Sequence, residues 1–562
     1  IGIRGFRTSA TGNDLQGKVL ILLNGRRAAT GNAAKIMTEN IERIEIIRGP
    51  ASVQYGSAAI GGLINVITKQ GRGDPSFFVA GELGSFGYEE ASAGFSGKTG
   101  GFDFSAAVSR SMKDDYDTAD DEEYNNTGYD EEENISINLG YEFLPDHRVG
   151  LIYTGYDMDD AGSPYYLSQN DPDAHVDNSN ESLDFLYEGQ TREGLFSWKA
   201  RYFTGDDEYG YYDPTYSTVS ETDIDNQGAQ GQVTWKPGRY RLTAGVDWID
   251  YEIDQGFAPR ETEYENPSYF LLGQAKYLDD RLILSGGLRY DDYEVEIKQG
   301  QGGTADDDNV SPKLGASYFI LDSLKIRANY GQGFRMPSAG ELAGDYSSFG
   351  LPYKGNPGLD PEESDTYELG LDWYHPVVDA SLTYFYTDFE DKINTVTTAE
   401  GFTTWENIGE ATVSGFEGGI TCHLGKWLQY HWRIDPYIHF TYLTEYEDDE
   451  TGEDLKYVSD LLMSYGVSVS DFEGFSMQLN FTHTGEQDVD DYETGGYPAP
   501  VVEKDKYAVA SLTMEKRILD FPDYGGLALR GEIHNLLDRD YAYVKGYPMP
   551  GRNFVVGLRY EY

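Results

Sequence analysis

Cysteine is almost missing from this chain: Cys422 is the one thiol in 562 residues. No intrachain disulfide can form, and cysteine usage therefore names no redox compartment. Long apolar runs are missing too. The cleanest in the first domain, Val19 to Leu23, falls far short of the roughly 20 residues a spanning helix needs. A helical membrane protein is excluded. A membrane barrel is not, because every second side chain of its strands faces the lumen and hides the signal. The mean hydropathy of −0.55 agrees with such a chain. Positive charge is scarce, with 43 Lys and Arg against 97 Asp and Glu and a net charge of −54. That argues against nucleic acid, which requires clustered Lys and Arg. The acids are either solvated loops or ligands converging on a hard cation such as calcium. The eight histidines show no metal-ligand spacing, and there is no Gly-rich phosphate loop. No catalytic constellation appears, and acid pairs such as those in Tyr88 to Glu90 read as exposed loop. No linker divides the chain after its first 75 residues, and no signal peptide is present. The opening Ile1-Gly2-Ile3-Arg4-Gly5-Phe6 reads as mid-domain sequence, so a missing N-terminus is expected.

What is present is glycine, tyrosine and alternation, with 66 Gly, 46 Tyr and 14% aromatics. Residues 1 to about 72 read as a small α/β unit. Val19 to Leu23 is a short strand closed by Asn24-Gly25, Lys35 to Asn40 suits one helical turn, and Leu63 to Thr68 is a β-branched run. Ile41 to Ile47 is too mixed for a simple amphipathic strand. Gln70 to Pro75 reads as a linker. From Phe77 onward the period is two. Ile135, Ile137, Leu139, Tyr141 and Phe143 oppose Ser136, Asn138, Gly140 and Glu142. Tyr367, Leu369, Leu371 and Trp373 oppose Thr366, Glu368, Gly370 and Asp372. Phe554, Val556, Leu558, Tyr560 and Tyr562 form the last such face. Alternation lasting nine or ten residues suits tilted strands crossing a bilayer. Short turns such as Leu278-Asp279-Asp280 alternate with long polar stretches such as Asp157 to Ser182, read as outer loops. At roughly 22 residues per strand and its loops, the region 76–562 yields about 22 antiparallel strands. The expected fold is a membrane all-β protein: a transmembrane barrel with the α/β unit, residues 1–72, plugging its lumen.

Motifs add to this. Ile3-Arg4-Gly5-Phe6, Val19 to Gly25, Ile41-Glu42-Arg43-Ile44-Glu45-Ile46-Ile47-Arg48-Gly49-Pro50, Tyr55-Gly56 and Ile60 to Lys69 follow in order. Gly333-Phe334-Arg335-Met336-Pro337, Asn356-Pro357-Gly358-Leu359-Asp360-Pro361-Glu362 and Asn535-Leu536-Leu537-Asp538-Arg539-Asp540-Tyr541 come later, before the aromatic Tyr562. On these the chain resembles the TonB-dependent outer-membrane receptors. The resemblance implies a monomeric plugged barrel in the Gram-negative outer membrane, surrounded by its lipid and importing a scarce bulky solute. It also implies coupling to the TonB–ExbB–ExbD complex, through a box that this sequence does not contain. A passive or adhesive barrel is the rival, but such a pore needs no plug.

An arginine inside a barrel needs an anionic partner. Alternation puts Glu368 on the lumen face, and Glu417 too if Phe416 faces lipid. The resemblance implies that Arg4 and Arg48 lock the plug to Glu368 and Glu417; the alternative is that each Glu pairs within the wall. Cys422 falls on the lipid side with Phe416 and Ile420, and His423 on the inner side as a hydrogen-bonded wall residue. Three solutes are weighed: cobalamin, a ferric siderophore and haem. Haem receptors of the family carry a His between the two central motifs, and Ser338 to Gly355 has none. Tyr212-Asp213-Pro214-Thr215-Tyr216 is similar to a calcium-binding stretch of cobalamin receptors, though Tyr-Asp-Pro is also ordinary turn chemistry. It implies that Tyr212 and Asp213 help bind calcium; Asp223 or Asp225, with Asp157, Asp159 or Asp160 of the preceding acidic loop, are expected to complete the site. Against cobalamin stand Arg7, Arg26, Arg27 and Lys35, expected at the plug apex facing the solute, which would suit an anionic siderophore.

Overall fold

The period-two segments become strands that close on themselves. In the computed structural model, Ser76–Gly84 pairs with the final strand Asn553–Glu561, and 22 antiparallel strands form a closed barrel. The structure describes residues 1–9, 13–37, 40–256, 258–299, 303–348, 351–449, 451–493 and 499–562. No helix among them is long and apolar enough to cross a membrane.

Many strands are much longer than the 9–11 residues a bilayer requires. Tyr240–Gln255, Glu261–Tyr277 and Leu282–Ile297 have 16, 17 and 16 residues. Each carries a change of character along its outward face. On Leu282–Ile297 that face runs Leu284, Leu288 and Tyr290, then Asp292, Glu294 and Glu296, all exposed. The inward face changes the opposite way. Arg289 and Asp291 are buried against the plug, then Tyr293, Val295 and Ile297 join an apolar cluster with Phe334, Leu342 and Leu359. Facing side chains have thus exchanged polarity without any slip in register. Below the change the wall is apolar outside and polar inside, as lipid and a plugged lumen demand. Above it, water is outside and packed loops are inside.

This corrects the reading of Asp157 to Ser182 as one long loop. The strands run His147–Gly162 and His175–Gln190, leaving only 163–174 between them. The segment hides its strands because outward Asp157, Asp159, Asp177 and Glu181 are acidic while the inward residues of the second strand are Asn178, Asn180 and Ser182, so little apolar face remains to be seen.

Inside the barrel, residues 1–68 build a four-stranded sheet ordered Arg26–Arg27, Val19–Leu23, Gly62–Thr68, Ile41–Arg48. Val19–Leu23 is parallel to Gly62–Thr68 and buried on both faces, which is why it reads as an unbroken apolar run. Val19, Ile21 and Leu23 share a core with Phe385, Phe389, Val413 and Leu443 of the barrel wall. Leu20, Leu22 and Leu63 pack on Ala51 and Ala59. Ile41–Arg48 is a strand despite its mixed pattern: as an edge, it leaves Ile44 and Ile46 exposed. The helical turn expected over 35–40 lies instead at Ala33–Lys35, capped by Asn32, whose side chain accepts from the Ala34 N–H. Residues 38–39 lie outside the described residues.

Candidate functional site: the plug seam and the vestibule

Arg4 occupies the turn between two short strands, at φ 52°. Its Nε and Nη2 donate to the two carboxylate oxygens of Glu417 at 3.0 and 2.8 Å, and Nη1 lies 2.7 Å from Glu368 Oε1. The guanidinium stacks over Phe385 at 4.1 Å and is 3% exposed. Burial works against its charge, but the hydrogen bond and charge of Glu417, then the charge of Glu368, hold its pKa above the ordinary value. Gly49, at φ 76°, leaves room for this contact. A Cβ there would sit 2.9 Å from Glu368 Oε1 and 3.0 Å from Arg4 Nη1. Arg48 is placed differently. Its Nη1 is 3.9 Å from Glu417 and its side chain is 52% exposed, so Arg4 alone bridges both glutamates.

The four cations expected at a solute-facing apex do not form an open basic surface, which corrects that expectation. Arg26 is 1% exposed and donates through Nε to Asp184 of the barrel at 2.9 Å. Arg27 is held inside the plug by Asp14 at 3.0 Å, and this charge raises its pKa despite burial. Lys35 donates to Asp207 at 2.9 Å and to the carbonyls of Ser179 and Glu208. The apex sequence is basic because the wall opposite is acidic, and pairing consumes the charge. Arg7 differs. It donates to the Lys456 carbonyl at 3.3 Å and lies over Tyr457, with no carboxylate partner among the described residues. Burial lowers its pKa. It lines a cavity of about 630 Å³ with Phe6, Lys18, Phe389, Lys392 and Lys456.

Two further clusters went unnoticed in the sequence. Lys18 donates to Glu362 at 3.1 Å, and the other oxygen of Glu362 accepts from Arg335 Nε. Arg335 also forks onto Glu341 with two 3.0 Å bonds. Glu341 closes a capping box with Ser338 that starts the helix Ala339–Ala343. Arg335 and Glu362 both stand in the quoted motifs, so the signal was present as two charges without evident partners. Arg289, between Asp247 at 2.7 Å and Asp291 at 2.9 Å, reaches the Gln54 carbonyl of the plug. Its clue was an Arg and an Asp two apart on one inward face.

Plug–wall ion pairs lie inside a closed 22-stranded barrel, and comparison with known proteins decides the family. The model "TonB dependent receptor-like, beta-barrel" matches residues 78–536, and "TonB-dependent Receptor Plug Domain" matches residues 1–63. The chain belongs to the TonB-dependent receptors. It is therefore an integral protein of the Gram-negative outer membrane. It is 24% identical to a ferric enterobactin receptor of Pseudomonas aeruginosa, over 95% of this chain and 82% of that one. It is 26% identical to the vitamin B12 transporter BtuB of Vibrio vulnificus, over 100% of this chain and 85% of that one. In structure it resembles the copper transporter OprC, with a TM-score of 0.82, 17% identity, and coverage of 99% and 94%. At that identity the likeness is one of fold.

In this TonB-dependent receptor the residues expected to form a calcium site are split, with Asp213 apart from Tyr212, Asp223, Asp157 and Asp159. Strand parity separates them. Asp213 is buried on the inward face of Phe196–Asp213, while Tyr212, its neighbour, points outward and donates to Glu221. Asp223 and Asp225 pair with Glu208 and Asp206 and share Tyr212's face. Asp157 and Asp159 line an outer groove with Asp223 and Tyr212, and Asp160 lies 3.8 Å from His175. Among the described residues two other carboxylate groups form instead, each with oxygens within 4.8 Å of one another. One is Asp171, Asp173 and Asp213; the other is Asp206, Glu208 and Asp223.

Proposed function

We propose that this receptor imports a cobalamin-type solute, bulky and without large net negative charge, by a step driven through the TonB–ExbB–ExbD complex. The observation that carries this reading is the state of the plug cations. Arg4, Lys18, Arg26, Arg27 and Lys35 are each paired with carboxylates, while the outer strand extensions carry outward rows of Asp and Glu. A polyanionic ferric catecholate approaching this mouth meets repulsion and few free donors. A corrinoid does not. The similarity to vitamin B12 transporters along the full chain supports the same choice. Calcium belongs to this reading. Asp171, Asp173 and Asp213 offer up to six oxygens, the lower end of what calcium takes, and join the loop 163–174 to the end of a barrel strand.

A ferric siderophore is the second reading, favoured by Arg7 in its cavity and by the similarity to the enterobactin receptor. Equilibrium binding of cyanocobalamin and of a ferric catecholate to the purified receptor separates them. Tight cyanocobalamin binding with none of the catecholate supports the proposal, and the reverse pattern replaces it with the siderophore reading.

A further inference from the structure

The seam between plug and wall is balanced or acid-rich in nearly every cluster. Arg4 and Arg48 face Glu368 and Glu417; Lys18 and Arg335 face Glu362 and Glu341; Arg289 faces Asp247 and Asp291; Lys35 faces Asp207. Besides Arg7, which lacks a carboxylate partner among the described residues, one cluster is rich in cations and buried throughout. Asp184 receives Arg26 from the plug and also lies 3.5 Å from Nε of Arg201 on the neighbouring strand. All three side chains are 1% exposed. Lys199 and Glu188, beside them, are a pair at 3.4 Å and cancel. Two guanidinium groups thus share one carboxylate, leaving a buried charge of +1.

The hydrogen bonds are short in the same sense. Arg26 uses Nε on Asp184 and Nη1 on the Arg27 carbonyl, and its Nη2 has no partner. Arg201 uses Nη2 on the Asn24 carbonyl; its Nε stands 3.5 Å from Asp184 without forming a hydrogen bond, and its Nη1 has no partner among the described residues. The Asn24 side-chain Nδ2 is likewise buried and unpartnered. Every unsatisfied atom in this group is a donor. Phe203, whose ring lies 5.0 Å from the Arg26 guanidinium, walls the cluster with hydrocarbon. An uncompensated charge in such a place is strongly unfavourable, and so are orphaned donors.

We infer that the Arg26–Asp184–Arg201 cluster is a binding site for a small monovalent anion, chloride or another halide, held by Arg26 Nη2 and Arg201 Nη1. A single negative charge closes the count, and a monatomic ion accepts from donors converging at any angle. A divalent oxyanion overshoots the charge and is larger. Because Arg26 belongs to the plug and Arg201 to the wall, the ion is a third party to their contact and strengthens the seating of the plug.

The test is diffraction from wild-type crystals grown with bromide in place of chloride. The expected result is an anomalous peak in contact with Arg201 Nη1 and Arg26 Nη2. A scatterer without anomalous signal there, or no peak at all, overturns the assignment. A solution measurement runs beside it. Replacing gluconate by chloride at constant ionic strength should raise the unfolding midpoint by about 1–2 °C per tenfold excess over the dissociation constant. Arg201→Gln, which removes the surplus charge, should abolish that dependence. An equal midpoint in both salts for the wild type counts against the site, whether or not the variant folds.

Discussion

Arg4 and Glu417 meet in a two-toothed fork, Nε to Oε1 at 3.0 Å and Nη2 to Oε2 at 2.8 Å, across 413 residues of sequence. The remaining tooth, Nη1, goes to Glu368. Unequal effects follow. Arg4→Ala strands two carboxylates, and Glu417→Ala leaves a buried guanidinium with one partner. Each should destabilise the seated plug by about 3–5 kcal/mol. Glu368→Ala should cost less, since the fork survives. Arg48→Ala should cost least, because that side chain is half in solvent. Passive leakage of small solutes through the reconstituted receptor should rank in the same order. Equal leakage from the Arg4 and Arg48 variants would contradict this ranking.

The fork of Arg335 onto Glu341, with Glu362 behind it, ties the segment after strand Leu324–Arg335 to the strand Glu362–His375. Lysine cannot supply two parallel donors. Arg335→Lys should therefore free residues 336–361 for proteolysis while leaving the barrel intact. Cleavage within that segment at least several-fold faster than in the wild type is the expected readout.

Calcium should tighten solute affinity by about 5–150-fold, the usual range of such coupling. Asp213→Ala should remove the effect, and Asp225→Ala, on the opposite strand face, should leave it in place. Affinities measured with calcium and with chelator decide. A calcium effect that survives in Asp213→Ala assigns the ion elsewhere.

His423, in the turn after strand Thr403–Cys422, lies between Asp379 Oδ2 at 3.0 Å and Asp435 Oδ1 at 3.2 Å. The hydrogen bond that His423 donates to Asp379, then the one it donates to Asp435, raise its pKa above the ordinary 6.5. A raised folded value means that the clip stabilises fully below the unfolded pKa and fades as pH climbs through the folded one. The wild-type midpoint should thus fall relative to His423→Asn as pH rises from 6 to 9. Parallel curves would show that the clip contributes nothing.

The barrel was legible because one face of each membrane-crossing segment is continuously apolar, as in Tyr367, Leu369, Leu371 and Trp373. Glu368 and Glu417 were legible for the same reason: a charge on the inward face stands out. The basic apex was misread because sequence shows a charge but not its counter-charge. Asp184 and Asp207, which take up Arg26 and Lys35, lie more than 150 residues away. The calcium set failed on parity. Treated as loop residues, Tyr212 and Asp213 were free to converge; as consecutive residues of one strand, they point apart.

The exchange of polarity along Tyr240–Gln255, Glu261–Tyr277 and Leu282–Ile297 acts as a depth gauge. Sinking the barrel by one pair of residues, about 5 Å once strand tilt is allowed for, pushes the first carboxylates of these strands, Asp250, Glu265 and Asp292, toward hydrocarbon. Rising by the same step lifts Val246, Tyr269 and Leu288 out of it. Both displacements are opposed, and by several strands at once, so the receptor has a single preferred height in the bilayer. A membrane that grows thicker or thinner must bend to meet this protein, because the protein cannot slide to meet it.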